Sequence, residues 1–107
     1  MAGFKIVANP KFDADLTFIC AGVEQSFKAT FRHMGRKEFT ALYGKLFDVK
    51  DPDKAAVDAV LQVVDSWDIE CPLDEKNVAK LLDNYPGFAF ALLQGYQQVI
   101  VTKLKGN

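Results

Sequence analysis

Histidine and cysteine are scarce in this 107-residue chain, which has one histidine, His33, and two cysteines, Cys20 and Cys71. A structural zinc site takes four Cys or His ligands, so these residues cannot complete one. Small secreted folds usually carry more cysteines at closer spacing, so we expect both to be reduced thiols. The sequence therefore predicts neither a metal site nor a disulfide framework.

Long apolar runs are also absent, since no run approaches the roughly 20 residues of a membrane span. The first residues lack the apolar segment of a signal peptide. The formal net charge of -1 argues against a strongly basic nucleic-acid binder. We expect a cytoplasmic protein that does not enter a membrane.

Phosphate-binding glycine motifs do not occur in the sequence, so no nucleotide cofactor is predicted. Two arrangements could support catalysis: a Cys20–His33 nucleophile pair, and the neighbouring carboxylates Asp65, Asp68 and Glu70. The thiol of Cys20 lies in an apolar run, which disfavours the reactive thiolate, and the carboxylates fall in a polar segment. We predict no catalytic residue and no enzymatic activity.

A basic cluster raises the alternative of nucleic-acid binding, with aromatic rings as stacking platforms. The residues concerned are Lys28, Arg32, Arg36 and Lys37, with Phe27 and Phe31 as the rings. In a strand, these aromatic residues would alternate with the basic ones and face the core instead. The alternation therefore argues against nucleic acid as a partner.

The first third of the chain has the pattern of β-strands. Residues 16–20 are rich in β-formers, and residues 26–34 alternate between apolar and polar side chains. The short link 21–25 contains glycine and predicts a hairpin. Residues 4–8 are a candidate edge strand that ends before a proline.

Four helices are predicted after Gly35, where the period of apolar residues changes. The first ends near Phe47. Asp51 before Pro52 begins the second, which should end near Asp68. Asp74 caps a short third helix. The fourth runs over 87–103 and is apolar on nearly every side at its start, which is typical of a core helix or an oligomer contact.

These patterns predict an α+β fold: an N-terminal antiparallel hairpin or small sheet, followed by about four helices. We expect a single domain over 1–107, β-rich over 1–34 and helical over 35–104. The nine phenylalanines are many for this length. Aromatic residues dominate both cores and interfaces, so core packing and a partner-binding surface remain equally open explanations.

Several short motifs together resemble the phage tail assembly chaperone family. They are the tryptophan-acid-aliphatic step at 67–69, the capped helix at 72–78, the leucine pair and proline at 81–87, and the strand at 27–32. The resemblance covers roughly 14–104. Asp74 stands where a serine-like cap is usual, and Asp caps a helix equally well.

The resemblance implies a non-enzymatic chaperone that keeps the long, mostly helical tape measure protein soluble during tail assembly of a phage or prophage. It implies a homo-oligomer in the bacterial cytoplasm that is absent from the mature virion. It also implies a longer frameshifted form that reaches the tail tube protein. We predict partner contacts at Trp67, Tyr85 and Phe88.

Three alternatives remain open at this stage. One is a structural tail or head–tail connector component of the virion. The second is a small nucleic-acid-binding regulator, and the third is a small cysteine-dependent hydrolase. Presence in purified virions, salt-dependent affinity for nucleic acid and rapid reaction with iodoacetamide would identify the first, second and third alternative respectively.

Overall fold

The computed structural model describes residues 6–47 and 50–100, which form three strands and four helices. In chain order these are β1 (Lys11–Cys20), β2 (Val23–Arg32), α1 (Arg36–Leu46), α2 (Pro52–Val63), β3 (Val64–Trp67), α3 (Glu75–Asn84) and α4 (Phe88–Ile100). The three strands form one antiparallel sheet in the order β1-β2-β3. The predicted fold class is confirmed.

A long hairpin opens the fold, and its strands pair residue for residue along their whole length. Ala21 and Gly22 form the turn with positive φ angles of 54° and 80°, as two-residue hairpin turns require. Strand β1 begins at Lys11, well before the predicted 16–20, because Asp13 and Asp15 lie on its exposed face and do not interrupt it. The predicted alternation of β2 is confirmed.

The third strand lies where a helix was predicted. Helix α2 ends at Val63, and β3 follows at once to pair with β2, so the expectation of a helix to Asp68 was wrong. The candidate edge strand 4–8 lies partly outside the described residues. Its remaining positions, 6–8, are not in a strand.

Arg32 explains why α2 stops. Its Nη1 donates to the carbonyl oxygens of Leu61 and Val64 at 2.9 and 3.1 Å. Its Nη2 lies 3.2 Å from Asp65, the extra residue of a bulge between β2 and β3. The last turn of α2 has no basic residue of its own, so Arg32 satisfies carbonyls that a helix end leaves unpaired.

The helices begin as the sequence predicts. The carboxylate of Asp51 accepts from the Lys54 N–H at 3.0 Å and caps α2. The carboxylate of Asp74 accepts from the Asn77 N–H at 2.8 Å and caps α3. Both caps satisfy amide groups that would otherwise lack a partner at a helix start.

Helix α4 lies against the sheet and supplies much of the core. Its buried side chains are Phe88, Ala89, Leu92, Leu93 and Tyr96. The Tyr96 hydroxyl donates to the Arg32 carbonyl oxygen at 2.7 Å, and its ring packs on Phe12 and Phe31. The predicted continuation of this helix to 103 falls outside the described residues.

Replacing the Arg32 guanidinium tests how far it holds α2, β2 and β3 together. We expect Arg32→Lys to lower the free energy of unfolding by about 1–2 kcal/mol, because one ammonium group cannot bond to all of these acceptors. The loss is limited because the Arg32 side chain is partly exposed. Urea denaturation measures this. Arg36→Lys, in the exposed first turn of α1, is the control. Equal stability of the two variants would contradict the assigned role.

Burial raises the pKa of Tyr96 to about 12, with the charge of Glu38 adding to the shift and a Met34 main-chain hydrogen bond opposing it. The folded state therefore holds the phenolic proton more tightly than the unfolded chain. The resulting stability is complete below about pH 10 and is lost as pH rises towards 12. Tyr96→Phe should show a smaller alkaline loss of stability than the wild type in urea titrations at pH 8 and 11. Identical pH dependence of the variant and the wild type would contradict a contribution of the Tyr96 proton to stability.

Candidate partner-binding surface

The three predicted contact residues converge on one aromatic cluster, together with Phe18 and Phe27. The ring of Phe88 lies 5.0 Å from Phe18, 5.8 Å from Phe27 and 6.5 Å from Trp67, between centroids. Tyr85 meets Phe18 edge-on at 5.6 Å. The cluster thus joins residues from all three strands, from the turn after α3 and from the start of α4.

The residues of this cluster differ in how far they are buried. Phe88 is only 3% exposed and belongs to the core. Trp67 is half-buried, and its indole Nε1 donates to the Cys71 carbonyl at 3.1 Å. Tyr85 is half-buried, and its hydroxyl accepts from Gln25 Nε2 at 3.2 Å. Tyr85 therefore stands at the rim of the cluster, while Phe88 forms its floor.

Three surface grooves meet at Phe88. The edge groove, about 430 Å³, lies between residues 15–20 of β1 and α4. The loop groove, about 690 Å³, lies between β2, residues 68–72 and α3. The three-helix groove, about 820 Å³, lies between α2, α3 and the start of α4. Tyr85 lines the first two, so Tyr85 and Phe88 mark their junction, whereas Trp67 lines none of the three.

The three-helix groove has the most apolar character. Its apolar lining includes Leu46, Ala56, Val57, Leu82, Phe88, Ala89 and Phe90. Its charged residues are Asp53, Lys80 and Asp83. Phe90 is 57% exposed, although it is a large apolar residue. Phe90 is not among the predicted contact residues, although the apolar pattern at the start of α4 indicates an exposed apolar side chain there.

The Cys20–His33 pair does not form. Cys20 ends β1 beside the hairpin turn, whereas His33 follows β2 at the far end of the hairpin, about 30 Å away along the strands. Burial raises the pKa of the Cys71 thiol, and the Asp74 charge adds to this effect. Neither the position of Cys20 nor the surroundings of Cys71 activate the thiol as a nucleophile.

Two of the three neighbouring carboxylates, Asp65 and Asp68, are held by structural partners. Asp65 lies 3.1 Å from Lys11 Nζ and also pairs with Arg32. Asp68 accepts from the Lys28 main-chain N–H at 2.9 Å and so extends the pairing of β3 with β2. Among residues 6–47 and 50–100, no group of three or more acidic, His or Cys side chains is placed to hold a metal ion.

The nucleic-acid alternative loses its stacking platforms. Phe27 and Phe31 are 7% and 0% exposed, so neither ring can receive a base. The Arg32 guanidinium is occupied by main-chain carbonyls and Asp65.

Within the described part of the chain, no helix is long and apolar enough to cross a membrane.

A model of phage tail assembly chaperones matches residues 1–107, the whole chain. The chain belongs to the phage tail assembly chaperone family. Searches of the curated proteins and of the solved structures found no match. Membership supports a role in tail assembly, and the family implies that this role is non-enzymatic. Membership in this family agrees with the open, largely apolar three-helix groove.

The difference between the buried Phe88 and the exposed Phe90 can be measured as a difference in the free energy of unfolding. We expect Phe88→Ala to cost about 3–5 kcal/mol, because it leaves a cavity among packed aromatic rings. Phe90→Ala, two residues along the same helix, should stay within about 0.5 kcal/mol of the wild type, since its ring is largely exposed. Chemical denaturation compares the two. Similar losses would mean that Phe90 also belongs to the core.

Proposed function

We propose that this chaperone binds the tape measure protein and keeps it soluble until the tail tube assembles around it. The observation that carries the proposal is the open three-helix groove with the exposed ring of Phe90, in a chain of this family. An apolar groove with a polar rim suits the apolar stripe of an amphipathic helix. Such recognition requires no catalytic group.

The contact surface extends from this groove to Tyr85. Phe88 supports it from below, because it lines all three grooves while remaining in the core. Trp67 packs on Phe88 and holds its ring in place. In this proposal, Tyr85 and Phe90 touch the client directly, and Trp67 and Phe88 position the surface.

The remaining parts of the proposal concern assembly and location. The chaperone acts as a homo-oligomer in the cytoplasm of the bacterial host, so that many weak contacts hold one long client with high avidity. It leaves before the virion is complete. A longer frameshifted form carries an extension that reaches the tail tube protein.

Co-expression with the tape measure protein of the same phage tests the central claim. We expect the wild-type chaperone to raise the soluble fraction of the tape measure protein and to co-elute with it. Phe90→Ser should weaken the purified complex about tenfold or more, because it removes an aromatic anchor. Binding titrations measure the change.

Val99→Ser is the matched control, since Val99 lies on the same helix and is 48% exposed but lines none of the three grooves. It should bind like the wild type. A tape measure protein that stays insoluble beside the folded wild type, in both short and extended forms, would sink the proposal. Finding the chain in purified virions by mass spectrometry would favour a structural tail component instead.

A further inference from the structure

Strand β1 leaves one long edge of the sheet open. It is an edge strand of ten residues, and β2 is its sole strand partner within 6–47 and 50–100. Alternate residues of an edge strand direct main-chain N–H and C=O groups outwards, where they can pair with another strand. The opposite edge, β3, has four residues and a bulge.

The features that usually protect an edge are missing from β1. It contains no proline, and its pairing with β2 shows no register shift from Lys11 to Cys20. Its charged side chains lie on one exposed face and do not point across the edge. A straight, regular edge of this length is a template for strand addition.

The edge groove lies directly along this edge. Six consecutive residues of β1, 15–20, line one side, which is possible because the strand presents its main chain there. The other side consists of small and amide side chains of α4, namely Ala91, Gln94, Gly95 and Gln98. A Cβ atom on Gly95 would lie 2.9 Å from Leu16 Cδ2, so glycine allows the helix to approach the strand this closely.

The charge of the groove indicates what it would accept. Asp15, which pairs in register with Lys28 of β2, is the one charged residue in its lining. Asp13 precedes it on the same exposed face of β1 and accepts from Thr30 Oγ1 at 2.7 Å. Lys11, further along that face, is paired with Asp65. The floor is apolar, with Phe18 and Phe88. An added strand therefore meets carboxylates on one face and aromatic rings on the other.

We propose that the outer edge of β1 binds an extended segment of a partner protein as a fourth strand, in which Lys or Arg residues alternate with apolar ones. Main-chain hydrogen bonds to β1 give affinity, and alternate apolar side chains enter the edge groove. The basic side chains face Asp13 and Asp15. This surface takes a strand, whereas the three-helix groove suits a helix, so the inference stands independently of the proposed function.

A capped hexapeptide with alternating Lys and Val residues is the probe. It is titrated into the full-length chain while backbone amide resonances are followed by NMR. We expect shifts at residues 15–20 and binding below about 1 mM. A Glu-Val peptide should bind at least about tenfold more weakly, because its charges oppose those of β1.

Main-chain pairing is tested with two N-methylated versions of the probe. Methyl groups on one alternate set of amides remove the donors that pair with β1, and methyl groups on the other set leave them intact. One version should therefore lose binding and the other retain it. Equal binding by both would overturn strand addition, as would the absence of shifts at residues 15–20 at about 1 mM.

The charge requirement is tested with Asp15→Lys, which should weaken binding of the Lys-Val probe about tenfold. Glu75→Lys, an exposed charge reversal at the start of α3 that lines none of the three grooves, is the control and should bind normally. Unchanged affinity of Asp15→Lys would refute the basic partner. A dimer in sedimentation without peptide, dissociated by the probe, would mean that a second copy occupies the edge and would overturn the proposal.

Discussion

The end of β2 at Arg32 is the point on which the architecture depends. The Arg32 side chain closes the end of α2 and binds the bulged Asp65 of β3, while its main-chain carbonyl receives the buried hydroxyl of Tyr96 from α4. One residue thus ties together two strands and two helices. Because a helix end and a buried hydroxyl are both costly when unpaired, these bonds also fix where α2 stops and how α4 lies on the sheet.

Once these elements are fixed, the aromatic residues divide between core and surface. Phe31 and Tyr96 pack near Arg32, and Phe27 and Phe88 pack towards the hairpin turn. The corner between α3 and α4 then holds Tyr85 and Phe90 at the surface, with Gly87 at a φ of 80°. A small domain cannot cover all of its large apolar side chains, and this chain leaves Phe90 exposed beside the three-helix groove.

The sequence was a good guide wherever the signal was local. The alternation of β2, the caps at Asp51 and Asp74, and the fourth helix all follow from spacing within a few residues. Strand β3 could not be foreseen in this way, because Val57, Val60 and Val64 continue a helical period. What ends the helix is Arg32, far away in sequence. The predicted contact residues come together at one corner of the fold, but spacing alone did not separate the buried Phe88 from the exposed Phe90.

The burial of Phe88 sets a limit on how this surface can bind. Its ring lines all three grooves and is also packed against Phe18 and Phe27, so no groove can deepen without disturbing the core. Close-packed interiors resist such movement. Each groove is therefore shallow and preformed. Under the proposed function, a long client gains its affinity from several such contacts at once, so the contacts can be replaced one at a time as the tail assembles.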